Sequence, residues 1–150
     1  LGENAVDMGA WNEFYSAELS AEIINKYSEE LQAMDHPEEI LNFSLFKNKF
    51  AVFNYIRVVK RIGYPKNSVF IEDLMKGLQD ANWPFFNELL ELFKSAYPEE
   101  LLVKTIDEFL VVADDEGDYM WISGLAMLID YLGADIERFR NKKILGKREF

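Results

Sequence analysis

Carboxylates are the one reactive side-chain type this sequence holds in quantity: 27 Asp and Glu against 16 Lys and Arg, with a single His and no Cys. They crowd most densely at Asp114, Asp115, Glu116 and Asp118 around Gly117, where oxygen ligands can gather on a hard cation such as Ca²⁺. The spacing lacks the closing glutamate of an EF-hand calcium loop. Acidic residues that open a helix are also favourable by themselves, through the helix dipole. A helix-opening turn without a metal is the expectation there. Carboxylate pairs for glycoside chemistry occur by composition in any chain this acidic, and nothing singles one out. His36 stands beside Pro37 in a turn. A general base needs an orienting partner and a pocket, whereas a surface turn residue needs neither. Without Cys, thiol catalysis, disulfides and Cys-ligated zinc are excluded. There is no Gly-x-Ser-x-Gly elbow, Walker loop or dinucleotide fingerprint, and the eight glycines are scattered singly. No catalytic residue, metal ligand or cofactor is expected.

The binding candidates are thinner but can be named. Asp80, Asn82 and Trp83 gather polar groups and a large ring on one inter-helix turn, a combination suited to recognition. The same residues also serve the fold: Asn82 as a helix cap, Asp80 tying the turn backbone, Trp83 covering the hairpin end. Glu88 and Glu91 face outward from the following helix, and Asp114, Asp115 and Trp121 complete the set. The net charge is −11, and it is uneven. From Ala134 onward six cations (Arg138, Arg140, Lys142, Lys143, Lys147, Arg148) face Asp135, Glu137 and Glu149, a surplus of about three that leaves about −14 on the rest. So acidic a body repels phosphate backbones and anionic lipid and favours a basic protein partner. Neither nucleic acid nor membrane is expected as a partner, and the oligomeric state is open.

These residues must be carried by helices. At 150 residues the chain fits one domain, and it is rich in rings, with twelve Phe, seven Tyr and three Trp. No apolar run approaches the ~18 residues of a membrane span. Leu1–Ala10, with Glu3 and Asp7, lacks the basic start and apolar stretch of a signal peptide, so a cytoplasmic location is expected. Met8, Trp11, Phe14, Tyr15, Leu19, Ile23, Tyr27, Leu31 and Met34 recur at helical steps, as one stripe or as two with Ser16 or Ser20 capping the second. Asp35-His36-Pro37-Glu38 has capping-box spacing, and a helix from about Pro37 would present Ile40, Leu41, Leu45 and Phe46. The next stripe is Phe50, Phe53, Ile56, Val59 and Ile62, with Arg57, Lys60 and Arg61 before a stop at Gly63 and Pro65.

From Ser68 a helix turns Phe70, Ile71, Leu74, Met75 and Leu78 inward. Asn82 and Pro84 open another that buries Phe85, Phe86, Leu89, Leu90 and Phe93. Tyr97-Pro98 starts a third, with Leu102, Ile106, Phe109 and Leu110 on one face. The fourth, Tyr119 to Leu132, is apolar all round, which requires cover on several sides, and Gly133 closes it. Ile136, Phe139, Ile144 and Leu145 predict a final helix as part of that cover. Short-linked helices are antiparallel neighbours, and Leu74/Ile106, Leu78/Leu110, Leu90/Ile122 and Phe93/Leu125 are related by 32 residues. The predicted organisation is a single all-α domain. Residues 1–66 hold helices of unassigned type, 68–133 two helix-pair repeats, and 134–150 a C-terminal helix or basic tail.

The string Leu74-x-x-x-Leu78-x-Asp80-x-Asn82-x-Pro84 ahead of an apolar helix resembles the hairpin turn of HEAT-type repeats. More narrowly, Leu78-Gln79-Asp80-x-Asn82-Trp83-Pro84, with the later Asp114-Asp115 turn and Trp121, resembles a family of small bacterial domains of unknown function. The likeness covers about Ser68 to Ile136. Phe85-Phe86 after the Pro and Ile122 after Trp121, where the family has smaller residues and a Lys, depart from its pattern. The resemblance implies stacked antiparallel helix pairs, a short HEAT-like right-handed array of six to seven helices, and it implies no activity. The leading expectation is a non-catalytic helical-repeat module that binds a basic protein, in one version an immunity-type protein masking a basic toxin. The alternative is an enzyme or small-ligand binder with a carboxylate-lined groove.

Overall fold

The structure, a computed structural model, describes residues 11–148. Of the residues considered above, Glu3, Asp7, Met8 and Glu149 lie outside that range. Among the described residues 71% are helical and none forms a strand, well above the roughly one third of ordinary domains. The fold is all-α. The chain divides into two compact units, Leu1–Phe70 and Ile71–Phe150.

In the first unit the opening stripe breaks into α1 (Asn12–Ser16) and α2 (Ala21–Gln32). Ser20 takes the extended backbone at the start of α2, while the Ser16 hydroxyl turns back to the Asn12 carbonyl. α3 (Val52–Ile62) packs against α2. Trp11, Phe14, Tyr15, Tyr27 and Phe46 form one ring cluster, with centroids 4.5–6.2 Å apart, in the edge-on and tilted arrangements that ring quadrupoles favour. The segment between α1 and α2 has no helix to satisfy its backbone, and the buried Asn54 of α3 does so instead. Its amide donates to the Phe14 and Ala17 carbonyls at 2.9 and 2.6 Å, and its oxygen accepts from the Leu19 N–H at 2.9 Å.

Two expectations fail in this unit. No α-helix follows Pro37; there are two 3-10 turns, Pro37–Glu39 and Phe43–Leu45. The Asn42 amide donates to the Glu38 carbonyl at 3.0 Å, an alternative to helical bonding that such side chains offer the backbone. Only Leu41 of the four expected core residues is fully buried. The face of α3 is misjudged in part: Ile56 and Val59 are buried as expected, but Val52 and Tyr55 join them there, Phe53 and Ile62 are only half-buried, and Phe50 stands 62% exposed ahead of the helix.

The helix expected from Ser68 is a succession in the chain: a 3-10 turn Lys66–Phe70 that ends the first unit, then α4 (Ile71–Met75), then a 3-10 turn Lys76–Leu78. The inward residues are nevertheless all buried. Gly77, a poor helix former, sits where the α geometry gives way. α5 (Phe86–Ala96) starts later than expected, with Phe85 at its cap. Asn82 therefore caps nothing; its N–H donates to Asp80 Oδ1 at 2.8 Å.

α6 (Glu99–Asp115) and α7 (Tyr119–Leu132) follow, joined by a three-residue turn and packed together. Gly133 closes α7 in the left-handed conformation at φ 67°, which glycine adopts freely. α7 can lie this close to the Lys76–Leu78 turn only because residue 124 is glycine. A Cβ there would stand 1.8 Å from the Leu78 carbonyl oxygen. Three residues earlier, the buried Trp121 indole N–H donates to the Met75 carbonyl at 2.9 Å, satisfying a group that the break after α4 strands. The C-terminal segment does cover α6 and α7, but as 3-10 turns at Ile136–Arg138 and Lys142–Lys147 in place of the regular helix expected. Asp107 pins its middle, accepting the Asn141 N–H at 2.9 Å. Among its described residues, Phe139 and Leu145 are the ones it buries.

Candidate functional site

α7 is not covered all round. Met120, Ser123, Met127 and Asp130 fall at i, i+3, i+7 and i+10, one stripe along the helix. Met120 is 46% and Met127 42% exposed. With Ala126, Ile136 of the C-terminal segment and Asn82 of the Asp80 turn, they line a groove of about 670 Å³ lying wholly within the second unit. Its single carboxylate is Asp130, whose side chain has no ion-pair partner among the described residues. Arg148 closes one end and donates to the Leu145 carbonyl at 3.2 Å. Such a site can bury apolar side chains on flexible, polarisable thioethers and hold one cation at its rim.

The residues singled out in the sequence are not gathered in one place. Asn82 lines the groove. Asp80 holds the turn behind it, and Trp83 stacks half-buried on Phe85 with centroids 5.6 Å apart. Trp121 has 2% of its surface exposed and its indole N–H is committed, so it offers a partner nothing. Glu88 is exposed on α5. Glu91 is engaged by the Tyr131 hydroxyl, which donates to its Oε2; that bond raises the Tyr131 pKa, with burial adding to it. The Lys94 ammonium lies 5.3 Å from the Tyr131 ring centroid.

The acidic turn is taken apart by the fold. Asp114 and Asp115 end α6 and do not open α7. They lie at the negative pole of the α6 dipole, where carboxylates are disfavoured, and Lys147 Nζ compensates Asp114 at 2.7 Å. The hydrogen bond to Asp114 raises the Lys147 pKa. Asp118 is the residue that opens α7, accepting the Trp121 N–H at 3.0 Å. Among the described residues no group of three or more His, Asp or Glu is placed to hold a metal ion. His36 is exposed in its turn, 3.4 Å from Glu38.

A second cleft, about 600 Å³, runs between α6 and the C-terminal segment. Glu100, Asp107 and Glu108 line it together with Lys104, Arg138 and Arg140. Its charges balance, Arg138 is paired with Glu99 at 2.6 Å, and Asp107 is occupied in holding Asn141. The methionine groove is the site that sequence reasoning missed. Its one signal was the all-round apolarity of α7, which says that a face needs cover but not which face goes without.

A protein-family model described as a domain of unknown function (DUF5071) matches residues 45–147. No curated protein and no solved structure matches the chain. No described helix is long and apolar enough to cross a membrane.

Proposed function

The chain belongs to the DUF5071 family, and we propose that it is a non-catalytic module that takes an amphipathic helical segment of a basic protein into the α7 groove. The open stripe of Met120 and Met127 carries this reading. Helix-in-groove recognition needs a trough of adaptable apolar side chains with a charged rim. In this arrangement apolar residues of the segment rest on Met120, Met127 and Ile136, and a Lys or Arg meets Asp130. The net charge of −11 and the exposed Glu88 favour a basic partner over an acidic one. An immunity-type role, masking a basic toxin, is one biological form of the proposal. The four residue pairs 32 apart are all buried in the second unit, which supports reading α4–α5 and α6–α7 as one HEAT-like hairpin used twice.

The test compares wild-type bait with Met120→Asp/Met127→Asp in capture from the native host, with circular dichroism as the fold control. A basic protein held by wild type and lost at least about tenfold by the double variant is the expected result. An acidic partner, or one captured equally by both baits, overturns the reading.

A further inference from the structure

A different surface, in the first unit, carries a surplus of positive charge. The first turns of α2 lie beside the last turns of α3, and a groove of about 420 Å³ runs between them. Ala21 and Ile24 give it an apolar floor; Asn25, Arg57, Lys60 and Arg61 rise around it. Residues at i, i+3 and i+4 share one helix face, so the three α3 cations repel one another there. Cations near a helix C-terminus complement its dipole, which accounts for basic residues in the last turn but not for their gathering on one groove. Only one is neutralised: Arg57 Nη2 lies 2.8 Å from Glu18 Oε2. Lys60 and Arg61 have no acidic partner among the described residues, in a chain whose net charge is −11. The Asn25 side chain, half-buried on the α2 wall, adds an amide donor.

We propose that this groove is a binding site for a small phosphomonoester. After Glu18 is set against Arg57, two positive charges remain, and a phosphomonoester at neutral pH carries about −1.5 to −2. The phosphate oxygens accept hydrogen bonds from Lys60, Arg61 and the Asn25 amide, and the organic group lies on Ala21 and Ile24. Glu18 is the built-in competitor: it already occupies the Arg57 guanidinium that a ligand would otherwise share. The site is independent of the α7 groove, and neither proposal needs the other.

The probe is phenyl phosphate, titrated calorimetrically into the full chain at physiological salt, with phenyl sulfate and phenol alongside. Saturable binding of phenyl phosphate is expected, several-fold weaker for the monoanionic sulfate and undetectable for phenol. Lys60→Gln/Arg61→Gln, at exposed positions that leave the fold intact by circular dichroism, should weaken it at least about tenfold. Glu18→Gln frees Arg57 and should tighten it several-fold, a gain that a merely structural role for Glu18 would not produce. No saturable binding by wild type, or binding unchanged in the double variant, overturns the proposal. So does a single-stranded oligonucleotide that binds more tightly than phenyl phosphate and is lost with the same two substitutions, which would make the groove a nucleic-acid contact.

Discussion

Gly124 is where a single atom decides the packing of the second unit. Because the obstacle to a Cβ is a backbone carbonyl at 1.8 Å, no side-chain rotation relieves the clash, and either α7 or the Lys76–Leu78 turn must move. Gly124→Ala, normally favourable inside a helix, should here destabilise by about 1–3 kcal/mol or more, read as a lower midpoint in urea at unchanged slope. An unchanged or higher midpoint would mean that α7 does not approach Leu78 so closely. Trp121 and Asn54 act at the same scale, each satisfying backbone groups that irregular segments strand. Neither partnership was legible in the sequence. Trp121 and Met75 are 46 positions apart, Asn54 and Phe14 40, and an Asn within an apolar stretch does not announce which carbonyls it will meet.

At the scale of the element, legibility followed the local signals. α6 and α7 stand where Pro98, Asp118 and Gly133 place their ends, and the apolar faces expected of α5 and α6 are buried as their periodicity requires, whereas α7 keeps its methionine stripe open. Where side-chain bonds interrupt the ladder, a local one at Asn42 and a long-range one from Asp107 at Asn141, apolar spacing still marked some of the buried residues but not their backbone geometry. Proximity in sequence also misassigned the acidic cluster: four carboxylates near one turn divide between the end of one helix and the start of the next. Asp118 alone caps α7, so Asp118→Ala should cost about 1 kcal/mol. Ca²⁺ should leave the melting temperature of the wild type unchanged. A calcium-dependent rise would show these carboxylates acting as one site after all.

For the whole molecule, composition set a charge of −11 but not its map. That map is local: a basic groove on α2 and α3, a methionine trough with one carboxylate on α7. Both depend on which helix faces meet, so neither was legible as a site before the fold was known. The long-range field, by contrast, follows from net charge alone. Association with a basic partner should slow steeply as ionic strength rises from about 0.01 to 0.15 M, where the screening length falls from about 30 to 8 Å. Dissociation, governed by the apolar contacts on Met120 and Met127, should change far less. Stopped-flow kinetics with the captured partner separates the two, and a salt-independent association rate would remove charge from the recognition scheme.

The placement of the three tryptophans gives the molecule its own optical labels. Trp11 is wholly enclosed in the first unit and Trp121 in the second, while Trp83 alone is partly open to solvent. A Trp83→Phe chain therefore emits from one shielded indole per unit, and water reaching either shifts the emission to longer wavelength. Removing Trp11 or Trp121 as well leaves a chain that reports on one unit at a time. Comparing the two emission-monitored denaturation curves then tells whether the units melt as one cooperative body or in sequence.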